Sequence, residues 1–201
     1  MKTGVTQARL LETGERIFLE KGYNHTGIQA VLKDAGVPKG SFYHYFKSKE
    51  DFGLKVVEAS NNAYLVKLEQ FFGDETRSPL ARLRNYFESG IQAFAANDFR
   101  CGCLVGNLSQ EMASQNDTFR TRLDEILLDW RERFAQCLAE AQVAGELCES
   151  WDVKMLANFC IDSWEGAILR GKVTQSTEPL ENFVAVLFET VLAAKAPEAE
   201  C

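Results

Sequence analysis

Histidine is nearly missing from this chain: two residues in 201, His25 and His44. A Ser–His or Cys–His catalytic pair is therefore excluded from everything beyond the first quarter of the sequence. The six cysteines fare no better as metal ligands. Cys101 and Cys103 have C-x-C spacing, but a zinc site needs about four ligands and no histidine lies near them, so no metal is expected. Glycine-rich phosphate loops are absent, and so are repeats and low-complexity tracts. No apolar run approaches the roughly 18 residues of a membrane span. The opening MKTGVTQARLLETGE has no apolar core, so no secretory leader is expected and a cytoplasmic location is. In that setting the cysteines are read as thiols, not as a disulfide framework. Cys137 and Cys160 fall in apolar stripes and are expected to be buried, whereas Cys201 is terminal. No bound cofactor is expected.

The net charge of −7 is unevenly spread. Residues 1–60 hold nine Lys and Arg against seven Asp and Glu, and the rest hold thirteen against twenty-two. A slightly basic head on an acidic body is a polarity that orients a protein on a polyanion.

The pattern is helical throughout, with about nine helices and no strong strand signal. Lys49 to about Phe72 reads as one long helix. Pro79 opens another, to about Ala96. Shorter Cys103 to about Ser114 and long Asp117 to about Ala144 follow. Ser150 is expected to cap a helix from Trp151 to about Lys172, and Ser176 or Thr177 one from Glu178 to about Ala194. These last two helices are apolar over wide arcs, including Met155, Phe159, Trp164, Val186 and Leu187. One stripe can face the same subunit, and the excess asks for a partner. Gly166 and Gly171 would permit close helix approach. The expected division is a head of residues 1–50 and a body of 51–201.

The stretch from Thr26 to Lys49, TGIQAVLKDAGVPKGSFYHYFKSK, is the most specific. Ile28, Val31, Leu32 and Ala35 form one helical stripe. Thr26 with Gln29 has the spacing of a capping box. Gly36 suits a left-handed end, and Pro38 stops one helix and starts the next. The second helix, about Lys39 to Phe46, clusters Phe42, Tyr45 and Phe46 on one side. Gly40, Tyr43, His44 and Lys47 lie on the other. From Lys39 to Lys49 there are three lysines and no acid. Such a face is poorly suited to burial and suits a major groove, where glycine permits close approach. Ser48 is expected to cap the following helix.

The string VPKGSFYHYFKSKEDF closely resembles the signature of the TetR family of one-component bacterial repressors. The preceding helix, with Leu10, Leu11, Ile17 and Phe18 inward, is similar as well. The likeness is strong over about 60 residues and architectural beyond. It implies an all-α, TetR-type fold with an N-terminal helix-turn-helix and a helical sensing and dimerisation body. It places Thr26, Lys39, Gly40, Ser41, Tyr43, His44, Tyr45, Lys47 and Lys49 at or beside duplex contacts. Tyr45 has one foot in each role: packed edge by projection, phosphate contact by resemblance. The last two helices would form a four-helix interface in a homodimer. Two recognition helices would then read a palindromic operator.

The second segment of interest is RCGCLVGNLS, residues 100–109. Cys103 would open a helix, where amide N–H groups favour a thiolate. An inert buried cysteine is the ordinary alternative. Residues 102–104 and 108–109, with Gly171-Lys172-Val173 and STEPLE at 176–181, are similar to the NemR-like subgroup of the family. That likeness implies sensing of electrophiles or oxidants at Cys103, with Lys172 as partner. The ordinary alternative for Lys172 is that a lysine in the last turn of a helix complements the dipole. Cys101 departs from the pattern and is either a resolving or an exposed thiol. A non-covalent inducer in a pocket of Phe94, Trp130, Phe134 and Trp164 is the rival reading, although such aromatics are more often core. A thiol-dependent helical enzyme is the remote one.

Overall fold

The computed structural model describes residues 2–100 and 102–193; Cys101 and Cys201, both singled out above, lie outside them. Among the described residues there are nine α-helices and no strand. They are α1 (Lys2–Lys21), α2 (Ile28–Ala35), α3 (Lys39–Tyr45), α4 (Lys49–Phe72) and α5 (Pro79–Ala96). Then follow α6 (Leu104–Met112), α7 (Asp117–Val143), α8 (Val153–Thr174) and α9 (Glu178–Val186). A π-type turn, Leu187–Val191, continues α9. No described helix is long and apolar enough to cross a membrane.

Local chemistry sets most boundaries. Gly36 ends α2 in the left-handed region (φ 61°), its N–H returning to the carbonyls of Leu32 and Lys33. The Ser48 hydroxyl accepts from the Asp51 amide at 3.0 Å and starts α4. Asp51 in turn accepts from the Lys47 amide at 2.8 Å, which holds its carboxyl below the usual carboxylate range. Pro79 occupies the first turn of α5, where no amide hydrogen bond is lost.

Two expected caps are corrected. Thr26 does not cap α2: Gly27 stands at that position without a side-chain bond. The Thr26 hydroxyl turns back to donate to the Gly22 carbonyl at 2.7 Å. Likewise Ser150 does not cap α8. Asp152 does, accepting from the amides of Lys154 (2.9 Å) and Met155 (3.2 Å). A carboxylate is the stronger acceptor at the positive end of a helix.

The described chain packs as two compact units. The first takes the described part of residues 1–65 with 103–125. Its core joins Leu10, Phe18, Leu32, Phe42, Phe46, Phe52, Leu108 and Phe119, all nearly fully buried. Phe52 touches Phe18, Phe42 and Phe46 with ring centroids 4.9–5.9 Å apart. The second unit takes the described part of residues 66–102 with 126–201. There Phe87 packs on Phe134, Trp164 and Phe183 at 5.0–6.0 Å. Close approaches in this core need glycine. A methyl on Gly90 would stand 2.6 Å from the Trp164 ring, and one on Gly171 2.8 Å from Leu180 and 2.9 Å from Phe94. Gly166 is different: apart from its own helix backbone and its chain neighbours, no described atom lies within 4 Å of that point.

Candidate nucleic-acid interface

The recognition hairpin is built by two anchors with a short turn between them. Val31, Leu32 and Ala35 pin α2 to the core, and Val37 buries in the turn. In α3, seven residues long, Phe42 is wholly buried, and Phe46 just beyond is almost so. Two inward phenylalanines force the intervening positions outward. Lys39, Gly40, Tyr43, His44 and Lys47 are exposed, with Tyr43 at 52 %, and Ser41 and Tyr45 are half-buried. A methyl added to Gly40 would meet nothing within 4 Å. Among the described residues, then, no packing contact calls for a missing side chain there.

Two of the expected contact residues are placed otherwise. Thr26 is 2 % exposed and spends its hydroxyl internally, so its side chain does not join the outward face. Lys49 is half-buried: its ammonium lies 4.3 Å from the Tyr23 ring centroid and donates to the Asn24 carbonyl at 3.4 Å. Burial lowers its pKa, and the negative charge of Glu111 acts the other way.

A polar cluster that periodicity cannot reveal sits behind this hairpin, within the same unit. Glu111 of α6 accepts from the backbone amides of Tyr23 (2.8 Å) and Asn24 (2.6 Å). Gln115 accepts from the Asn24 side chain at 3.3 Å. Asn116 donates to Glu50 at 2.8 Å, and Arg122 pairs with Glu58 through two hydrogen bonds. Burial, with Glu50 and Glu111 nearby, pushes the Tyr23 phenol up to about 12.

Cys103 stands where the sequence places it, at the N-terminal end of α6. Its sulfur accepts from the Gly106 amide at 3.4 Å, and the residue is half-buried. Lys172 is in the last turn of α8. A methyl on Gly102, the residue before Cys103, would lie 3.4 Å from the Lys172 ammonium. Cys137 and Cys160 are buried, and desolvation pushes both thiols up to about 12. Among the described residues no cluster of three metal-ligating side chains occurs.

The four aromatics considered as a pocket lie inside the second unit. Phe94, Trp130, Phe134 and Trp164 are all buried, and none lines the described cleft of about 500 Å³ in the second unit. That cleft is bordered by Leu68, Phe72, Arg82, Arg133, Gln136 and Glu140. Arg82 is tied to Glu140 at 2.7 Å and to the Phe72 carbonyl at 2.9 Å.

Comparison with known proteins agrees with this geometry. Residues 10–54 match the family described as bacterial regulatory proteins, tetR family. Residues 79–187 match the tetracyclin repressor-like C-terminal domain. The transcriptional regulator AcuR of Cereibacter sphaeroides is 45 % identical over 174 residues, 87 % of this chain and 80 % of its own. The transcriptional repressor DhaR of Mycobacterium sp. (strain GP1) is 38 % identical over 191 residues, 95 % of this chain and 94 % of its own. The crystal structure of the reduced form of Escherichia coli NemR aligns with a TM-score of 0.87 at 32 % identity, covering 96 % of this chain and 99 % of that one. The NemR-like relation holds, and AcuR and DhaR are more similar still.

Proposed function

From the premise that the chain belongs to the TetR family of bacterial regulators, we propose that it is a homodimeric repressor released from a palindromic operator by a reactive electrophile or oxidant at Cys103. Its place among transcriptional regulators sets the enzyme reading aside. The observation that carries the DNA contact is the outward side of α3 and the residues just after it: Lys39, Gly40, Ser41, Tyr43, His44 and Tyr45 around a buried Phe42, then Lys47. Lysines there neutralise phosphates, and Tyr43 and His44 reach base edges. Gly40→Ala tests the close approach with opposite signs. Alanine should stabilise the helix by about 0.5–1 kcal/mol yet weaken operator binding, as thermal melts and gel shifts would register. Unchanged affinity would remove Gly40 from the contact.

Support for the sensor is the Gly106 amide aimed at the Cys103 sulfur, at the end of a helix where negative charge is favoured. In the proposed step Cys103 Sγ bonds the β-carbon of an activated alkene, and the thiol proton ends on the α-carbon. Hypochlorous acid as the oxidant instead gives the sulfenic acid: its hydroxyl ends on Cys103 Sγ, its chlorine leaves as chloride with the two electrons, and the thiol proton goes to solvent.

Gel-shift titration on the DNA flanking the protein's own gene tests this. Treatment with N-ethylmaleimide should abolish binding of the wild type and spare Cys103→Ser. Mass spectrometry of the treated native protein should find Cys137 and Cys160 unmodified. Equal release of both proteins would sink the Cys103 switch. Indifference of both would favour a non-covalent inducer, a reading that the higher similarity to AcuR and DhaR than to NemR keeps open.

A further inference from the structure

The turn between α1 and α2 is held by a side chain 87 residues away. Gly22 leaves α1 in the left-handed region at φ +78°. The next two amides, of Tyr23 and Asn24, point out of the chain's own hydrogen-bond ladder. Each finds one oxygen of the Glu111 carboxylate, at 2.8 and 2.6 Å. A carboxylate taking two amide hydrogen bonds is a strong and directional tie. The carboxylate lies so close that a side chain on Gly22 would stand 3.0 Å from it.

The same short turn is gripped from its other side. Lys49, in the first turn of α4 and just past the recognition helix, donates to the Asn24 carbonyl and lies over the Tyr23 ring. Gln115 adds the tie to the Asn24 side chain. Residues 22–24 therefore join three elements: the entry to α2, the exit from α3 and the last turn of α6. Within this unit α6 is also the helix that Cys103 opens.

We infer that Glu111 is a positioning residue for operator recognition, holding the helix-turn-helix in the orientation that base-edge contacts require. It touches no DNA itself. This inference rests on the DNA-binding reading above, and the two can fail separately.

Its signature is a loss of specificity rather than of DNA binding in general. Non-specific binding is driven by charge and needs no fixed register, whereas base readout does. Glu111→Gln keeps the shape, removes the charge and sets an amide N–H against one of the two backbone donors. Operator affinity should fall about tenfold or more, the scale of losing a charge-assisted hydrogen bond. Affinity for a random duplex of equal length should hold or rise slightly, since a negative charge has gone. Amide exchange at Tyr23 and Asn24 should accelerate while α1 and α2 stay protected. Gln115→Ala, which cuts the tie to the Asn24 side chain and the Gln115 bond to the Glu111 carbonyl but spares the Glu111 carboxylate, should move specificity the same way by less.

Equal losses on operator and random DNA would assign Glu111 a folding role alone and overturn the inference. So would operator affinity within about twofold of wild type alongside accelerated exchange. A wild type that does not prefer its flanking DNA to a random duplex would overturn the DNA-binding reading first, and that is visible before any variant is measured.

Discussion

Leu169→Glu combined with Val173→Glu should turn the proposed dimer into monomers and weaken operator binding by more than about 100-fold, the scale of losing a linked second half-site. Both side chains lie on the outer face of α8, at 48 % and 68 % exposure. Met155, Phe159, Asp162, Gly166, Leu169 and Val173 are all exposed and follow one another at four- and three-residue steps. They make a straight outward stripe that is mostly apolar. Gly166, open on its outer side, sits in the middle of it, where a second helix could come close. Val186 of α9 is exposed as well. A stripe of this kind costs solubility unless something covers it. Within the subunit the two glutamates would touch nothing essential, so helix content should be unchanged. In a two-fold interface they would bring four carboxylates together away from water, at a cost of several kcal/mol. Sedimentation equilibrium and gel shifts would report the two effects. A double variant that stays dimeric with wild-type affinity would place the interface elsewhere.

How far the sequence could be read depended on the range of the forces involved. The boundaries of α4 and α5 agree with expectation because their signals are local: a serine hydroxyl on an amide three residues on, a proline in a first turn. The split faces of α3 also emerge as expected, since two phenylalanines at four-residue spacing must point the same way. Local signals failed where two competed. Thr26 has a cap's spacing, but its hydroxyl has a better acceptor in Gly22. Ser150 and Asp152 both qualify at the start of α8, and the carboxylate prevails. The reciprocal capping pair Ser48 and Asp51 is legible in S-K-E-D. Aromatic stripes carry no mark that separates a core from a pocket, and burial of Phe94, Trp130, Phe134 and Trp164 is compatible with both. Glu111 lies in a different class. Its partners are backbone amides, which every residue carries, so no side-chain pattern could have named them. The same tie lies within the first unit, to which α6 belongs.

Phe42→Ala should abolish operator binding without removing a single group that faces outward. A seven-residue helix has no stability of its own, because nucleation costs more than one or two turns return. The helix α3 exists because Phe42 is driven into the core, against Phe46 at 5.0 Å and Phe52 at 5.2 Å. Truncation to alanine removes that burial and leaves a cavity, at about 3–5 kcal/mol. Against a total stability of about 5–15 kcal/mol, that is a large share. The loss falls first on the segment with fewest other anchors, so α3 should detach before the rest of the head unfolds. Tyr43→Ala is the counterpart. Its ring is half exposed and meets the Phe42 ring edge-on at 5.4 Å, so stability should change by less than about 1 kcal/mol. Operator affinity should still fall about 5–30-fold, the scale of one lost contact at the duplex. Urea unfolding and gel shifts on both variants separate the two kinds of loss. Wild-type operator affinity in Phe42→Ala, measured below its melting temperature, would mean that α3 is not the element that DNA holds.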